Sequence, residues 1–152
     1  ERLAYRLIRE NRIQKTYLCV LTATPPKQTD ILHAYHWKDA KTNTVTISDH
    51  PKAGYREIIT EYRVLQQQNG LCLAEITLHT GRTHQIRVHM KHIGHPLPGD
   101  FLYHPDYSRI ARQALHSYKL SFLHPITKQP MVFTAPIPED MQALLSDDAH
   151  TG

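Results

Sequence analysis

The pair Asn69-Gly70, set between two long β-rich runs, constrains this chain more than any other local feature. Residues 55–66 are crowded with Ile, Tyr, Thr and Val, and residues 71–78 return to the same chemistry. β-Branched and aromatic side chains favour an extended backbone. Asn-Gly accepts the positive φ angles of a tight two-residue hairpin. The spacing therefore predicts two adjacent antiparallel strands, and a hairpin of that length needs further elements packed against it.

Shorter runs of the same kind extend the pattern. Residues 15–21 read as a buried strand closed by Pro25-Pro26, residues 31–37 alternate as a second, and residues 44–48 form a short third. Residues 114–123 and 131–134 add two more, joined through His124-Pro125 and Gln129-Pro130. Helical signals are fewer. Thr83 is placed to cap a helix that Gly94 and Pro96 stop. Within it Ile86, Met90 and Ile93 fall at i, i+4 and i+7 as one core-facing stripe, with His84, Arg87 and Lys91 on another face. Residues 138–145 suit a short terminal helix. Residues 1–12, with Leu3, Leu7 and Ile8 among charges, read as an amphipathic helix that lacks a capping residue and so begins upstream. Six or seven strands, mostly hairpin-joined, with few helices predict an α+β fold around a mixed, mainly antiparallel sheet.

Composition narrows the setting. A chain of 152 residues is the size of one domain with a real core. No apolar run approaches the roughly 18 residues needed to cross a bilayer, and no charged-then-apolar leader is present, so neither a membrane span nor a secretion signal is expected. Cys19 and Cys72 lie in apolar runs without a Cys-x-x-Cys pattern and read as buried, reduced thiols of a cytoplasmic protein. Lys and Arg outnumber Asp and Glu by 18 to 14, with twelve histidines in addition. That balance favours polyanions such as RNA, although many basic proteins bind none.

The unusual residues gather between Leu78 and Tyr103: Arg82, His84, Gln85, Arg87, His89, Lys91, His92, His95 and Asp100. Physically this is a strand, a glycine turn and a helix whose first turns carry Arg and His. Free N–H groups at a helix start suit anions, and arginine adds bidentate hydrogen bonding to phosphate or carboxylate. Alone, such a segment reads first as a solvated basic helix face. The histidines invite a metal reading, but His84 and His89 are five apart and do not share a helical face. No carboxylate or cysteine stands at ligand spacing, so no metal is expected.

The string Thr80-Gly81-Arg82-Thr83-His84-Gln85-Ile86-Arg87-Val88-His89, followed by Ile93-Gly94-His95-Pro96 and Gly99-Asp100, closely resembles the signature of RluA-type RNA pseudouridine synthases. Lys15-Thr16-Tyr17 upstream agrees in order, as do Leu115-His116, Leu120, His124-Pro125 and Phe133-Thr134-Ala135-Pro136 downstream. The resemblance thus covers nearly the whole chain. It implies a pseudouridine-synthase-like fold and an enzyme that isomerises selected uridines of structured RNA, ribosomal or transfer, to pseudouridine. It implies no metal and no organic cofactor. By the same resemblance Arg87 is the arginine that pairs with the family's essential aspartate. Tyr17 is the tyrosine that stacks on the flipped uracil and is a candidate general base. Ile86 is an apolar residue that packs beside the target base, Leu115 is a substrate-binding residue, and Arg82 and His84 are RNA contacts. Asp100 and His95 belong to a turn of structural character.

The family's aspartate sits in an Arg-Leu-Asp-x-x-Thr-Ser-Gly type segment ahead of the Lys-x-Tyr strand, and nothing here matches it. Asp30, Asp39 and Asp49 all follow Tyr17 in order. Residues 1–152 are therefore read as the C-terminal part of a truncated catalytic domain, without its nucleophile and inactive by itself. Exposed strand edges then favour self-association. Two rivals remain: a non-catalytic RNA-binding fragment or degenerate homologue, and a metal-dependent hydrolase built on the histidines. The sequence upstream of Glu1 discriminates the first, and metal analysis of the purified protein the second.

Overall fold

A computed structural model describes residues 13–146, so the helix expected over residues 1–12 lies outside the described residues. Seven strands follow in chain order: β1 (Ile13–Leu21), β2 (Thr29–Asp39), β3 (Thr44–Ser48), β4 (Arg56–Gln68), β5 (Leu71–Leu78), β6 (Leu115–Leu123) and β7 (Pro130–Thr134). Helix α1 (Gln85–His92) stands between β5 and β6, and α2 (Glu139–Leu144) closes the described part. The strands form one sheet in the order β3-β2-β4-β5-β1-β6-β7.

All pairings are antiparallel, so the mixed character allowed by the sequence is absent from the described sheet. Three of the six neighbouring pairs, β2 with β3, β4 with β5 and β6 with β7, are joined by short turns, which permit only antiparallel pairing. The Asn69-Gly70 hairpin is as expected: φ is 58° at Asn69 and 75° at Gly70, and Gln68 pairs with Leu71 across the turn.

Strand alternation divides the core into two layers. Cys19 and Leu21 of β1 pack with Tyr62, Val64, Cys72, Ala74 and Ile76 of neighbouring strands beneath Ile86 and Met90 of α1. Val20, between them, points the other way and packs with Leu71, Ala114, Met141 and Leu144. Each helix thus covers one face. The stripe expected in α1 is present: Ile86 and Met90 are buried, and Ile93 packs on the same cluster. Two bulges interrupt the pairing, one between Val64 and Gln66, the other between Thr16 and Tyr17 against β6. Bulges bend a strand and re-aim the side chains beside them, and the second falls immediately before Tyr17. No helix among the described residues is long and apolar enough to cross a membrane.

Candidate active site

The loop that opens α1 is tied to β4 by side chains rather than capped by Thr83. The N-cap position falls on His84, held in the left-handed conformation at φ 55° with no side-chain capping bond. Gln85 fastens the turn instead. Its Oε1 accepts from the Arg82 N–H at 3.0 Å and from Thr80 Oγ1 at 2.9 Å. Its Nε2 donates to the Ile59 carbonyl and to Thr60 Oγ1. The Thr83 carbonyl accepts from Nε2 of the buried His36 on β2. Four bonds from one buried amide lock the turn, and sequence reasoning assigned Gln85 no role. Its signal was present only as a polar residue at a helix start facing an apolar sheet.

Arg87, expected on a polar helix face, is instead buried, 6% exposed. The segment after α1 folds back over it. Arg87 donates from Nε to Asp100 Oδ2 at 2.7 Å and from Nη2 to Asp100 Oδ1 at 2.8 Å. The Phe101 and Tyr103 rings each lie 5.3 Å from the guanidinium carbon. Such a fork is the strongest geometry available to an arginine and a carboxylate. Burial pushes the Asp100 pKa up, but the Arg87 bonds and the Tyr103 and Leu102 N–H groups outweigh it and hold the carboxyl below its usual range. Asp100 is an ion here. The third guanidinium nitrogen, Nη1, has no hydrogen-bond partner among the described residues.

His84 shares a 3.0 Å hydrogen bond with the Tyr103 hydroxyl through Nδ1. Burial, then the nearby Arg87 charge, lowers its pKa, which favours the neutral imidazole. The other histidines of the segment fan out. His89 meets Thr60 on β4, and His92 meets Asp49 after β3. Among the described residues no three His, Cys, Asp or Glu side chains gather as a metal site.

Tyr17 and Arg82 line a separate cleft of about 280 Å³ with Ile13, Lys15, Leu78, His79, Thr80 and Gly81. Burial pushes the Tyr17 phenol upward, so at neutral pH it is an uncharged ring with a hydroxyl. Tyr17 and Leu115 pack against the same core cluster that contains Ile86. The fold therefore gathers Tyr17, Ile86 and Leu115 on one apolar layer, with Arg82 at the cleft edge. His84 and Arg87 gather separately at the turn around Asp100. Tyr17 and Arg87 make no hydrogen bond to each other; α1 and its opening loop connect the two groups.

The RNA pseudouridylate synthase family matches residues 2–92, and the chain belongs to that family, in its RluA-type branch. It is similar to an RNA pseudouridine synthase of Chlorobaculum parvum, 32% identical over 159 residues, which covers 92% of this chain and 48% of that protein. It is 44% identical over 107 residues to the ribosomal large subunit pseudouridine synthase D of Neisseria meningitidis, covering 62% of this chain and 29% of that one. The chain thus spans less than half the length of each. Among solved structures, Human RNA Pseudouridylate Synthase Domain Containing 1 superposes with a TM-score of 0.71 at 27% identity, over 88% of this chain and 58% of that one. Human RNA Pseudouridylate Synthase Domain Containing 4 reaches 0.75 at 16% identity, over 93% and 64%, a likeness of fold.

Proposed function

We propose that this chain supplies the arginine and tyrosine side of a cytoplasmic RNA pseudouridine synthase acting on ribosomal or transfer RNA. The carboxylate that starts the reaction then comes from outside the chain. One observation carries this reading: Arg87 is gripped on two nitrogens by Asp100 and, among the described residues, keeps Nη1 without a partner. A nucleophilic carboxylate in a dry, base-sized site would take up a proton by desolvation unless a fixed cation held its charge. Nη1 is a cationic donor, already immobilised, for that purpose.

In the reaction the C1′–N1 bond breaks, the uracil turns, a C1′–C5 bond forms, C5 loses its proton and N1 takes one up. A uridine must leave its stack to enter the site, and a flipped base needs a flat or apolar surface to rest on. Tyr17 supplies the ring, and Ile86 and Leu115 the apolar wall. Arg82, exposed at the cleft edge, takes phosphate in this reading, and His84 gives a neutral hydrogen bond. Release of tritium from [5-³H]uridine RNA tests the reading. The chain alone is expected to release none, and the protein carrying an upstream Arg-Leu-Asp segment to release it. Turnover by the chain alone defeats the assignment of the carboxylate to another segment. RNA binding without turnover by the longer protein favours a non-catalytic binding module instead.

A further inference from the structure

Asp100 does more than close a turn. Its Oδ1 accepts from the Leu102 N–H at 3.0 Å and the Tyr103 N–H at 3.1 Å, which fixes the carboxylate in the 100–103 turn. These two bonds suffice for a turn, and asparagine makes them equally well. Yet the same carboxylate also engages Arg87 with both oxygens, and it is 1% exposed. The turn further supplies Phe101 and Tyr103 as aromatic walls at 5.3 Å, and the Tyr103 hydroxyl reaches back to His84 at the start of α1. Nε and one N–H of Nη2 are thereby occupied and the ring walls bound the guanidinium, so its orientation is set from outside the helix that carries it.

We propose that Asp100 is a positioning residue of the synthase site: it orients the guanidinium of Arg87 so that its outer edge, led by Nη1, is presented to the reacting carboxylate. This rests on the function proposed above. The physical requirement is strict, because misplacing a catalytic group by about 1 Å costs on the order of 10²-fold in rate. Asp100→Asn separates the two roles. It keeps an acceptor for the Leu102 and Tyr103 N–H groups, but it loses the charge and turns an amide N–H toward an arginine N–H.

The experiment is tritium release by the protein that carries the upstream segment, comparing wild type, Asp100→Asn, Asp100→Glu, Arg87→Lys and the Arg87→Lys/Asp100→Asn pair. Expected are a fall of about 100-fold in kcat for Asp100→Asn with KM within about 3-fold, and partial recovery in Asp100→Glu. The double variant is expected to be no worse than Arg87→Lys, since both changes disable one device. A folded Asp100→Asn protein with wild-type kcat overturns the assignment. If that variant does not fold by circular dichroism, Asp100→Glu decides: a wild-type kcat again overturns it. Failure of both to fold assigns Asp100 to the fold and overturns it also. A wild-type protein that releases no tritium sinks the proposed function itself, and this inference with it.

Discussion

His89 sits within the signature string at 1% exposure, with Nδ1 2.8 Å from Thr60 Oγ1. Burial, followed by the neighbouring His92, pushes its pKa down to about 4. The folded protein thus holds this imidazole neutral while the unfolded chain protonates it near 6.5. Between those values the unfolded state binds more protons, so stability is complete above about 6.5 and declines as pH falls toward 4. At about 1.4 kcal/mol per unit, the loss from this residue is roughly 3 kcal/mol. Urea unfolding at pH 7 and pH 4.5 should show that decline in the wild type and a flatter profile in His89→Gln; an equal decline in both would refute the assignment. Asp100 works in a different window. Its depressed pKa contributes stability that is present above the ordinary carboxylate range and lost only below about pH 4. Arg87 was legible in the sequence as a helix residue of the family string. Its depth and its hold on Asp100 were not, because the segment that covers it returns from 13 positions further on.

At the scale of elements, the segment between α1 and β6 has almost no regular structure yet carries Asp100 into place, and Gly99 is what lets it pass. Gly99 has φ +77°, and a Cβ there would fall on the Arg112 carbonyl and within 2.9 Å of the Ile110 side chain. Gly70 at the hairpin has a similar φ of +75° but open space around it. The two therefore separate backbone strain from steric exclusion. Gly70→Ala should cost about 1 kcal/mol from strain alone. Gly99→Ala should cost about 3 kcal/mol or more, since backbone must move, and should depress activity through Arg87. Chemical denaturation of both variants checks this, and equal costs would show that the loop yields. Strands and hairpin were legible because their residues carry period-two and turn chemistry locally. The start of α1 was not: Thr83 matched a capping residue, but the amide that holds this turn, Gln85, binds β4, and only the docked sheet supplies those partners.

For the whole molecule the sheet ends matter most. Among the described strands β3 and β7 are the outer ones, and Val132 and Phe133 on β7 are 55% and 54% exposed, with Ile126 in the adjoining turn at 83%. An open edge with apolar side chains is a template for pairing with another strand. Residues 1–152 alone are expected to self-associate as concentration rises, and Phe133→Lys to shift the population toward monomer in sedimentation velocity. A wild-type chain that stays monomeric at high concentration contradicts this.

Taken alone, the sequence determined the strand succession, the hairpin and the apolar stripe of α1, because each is written in neighbouring residues through backbone preference and side-chain period. It also determined the family, through an ordered string from Thr80 to Asp100. Only the tertiary structure decided that every described strand pairing is antiparallel, that Gln85 fastens the signature loop, and that Arg87 lies buried between two rings with its fork on Asp100. Those outcomes depend on which groups remain to be satisfied once water is excluded, and that is settled by contacts between residues distant in the chain.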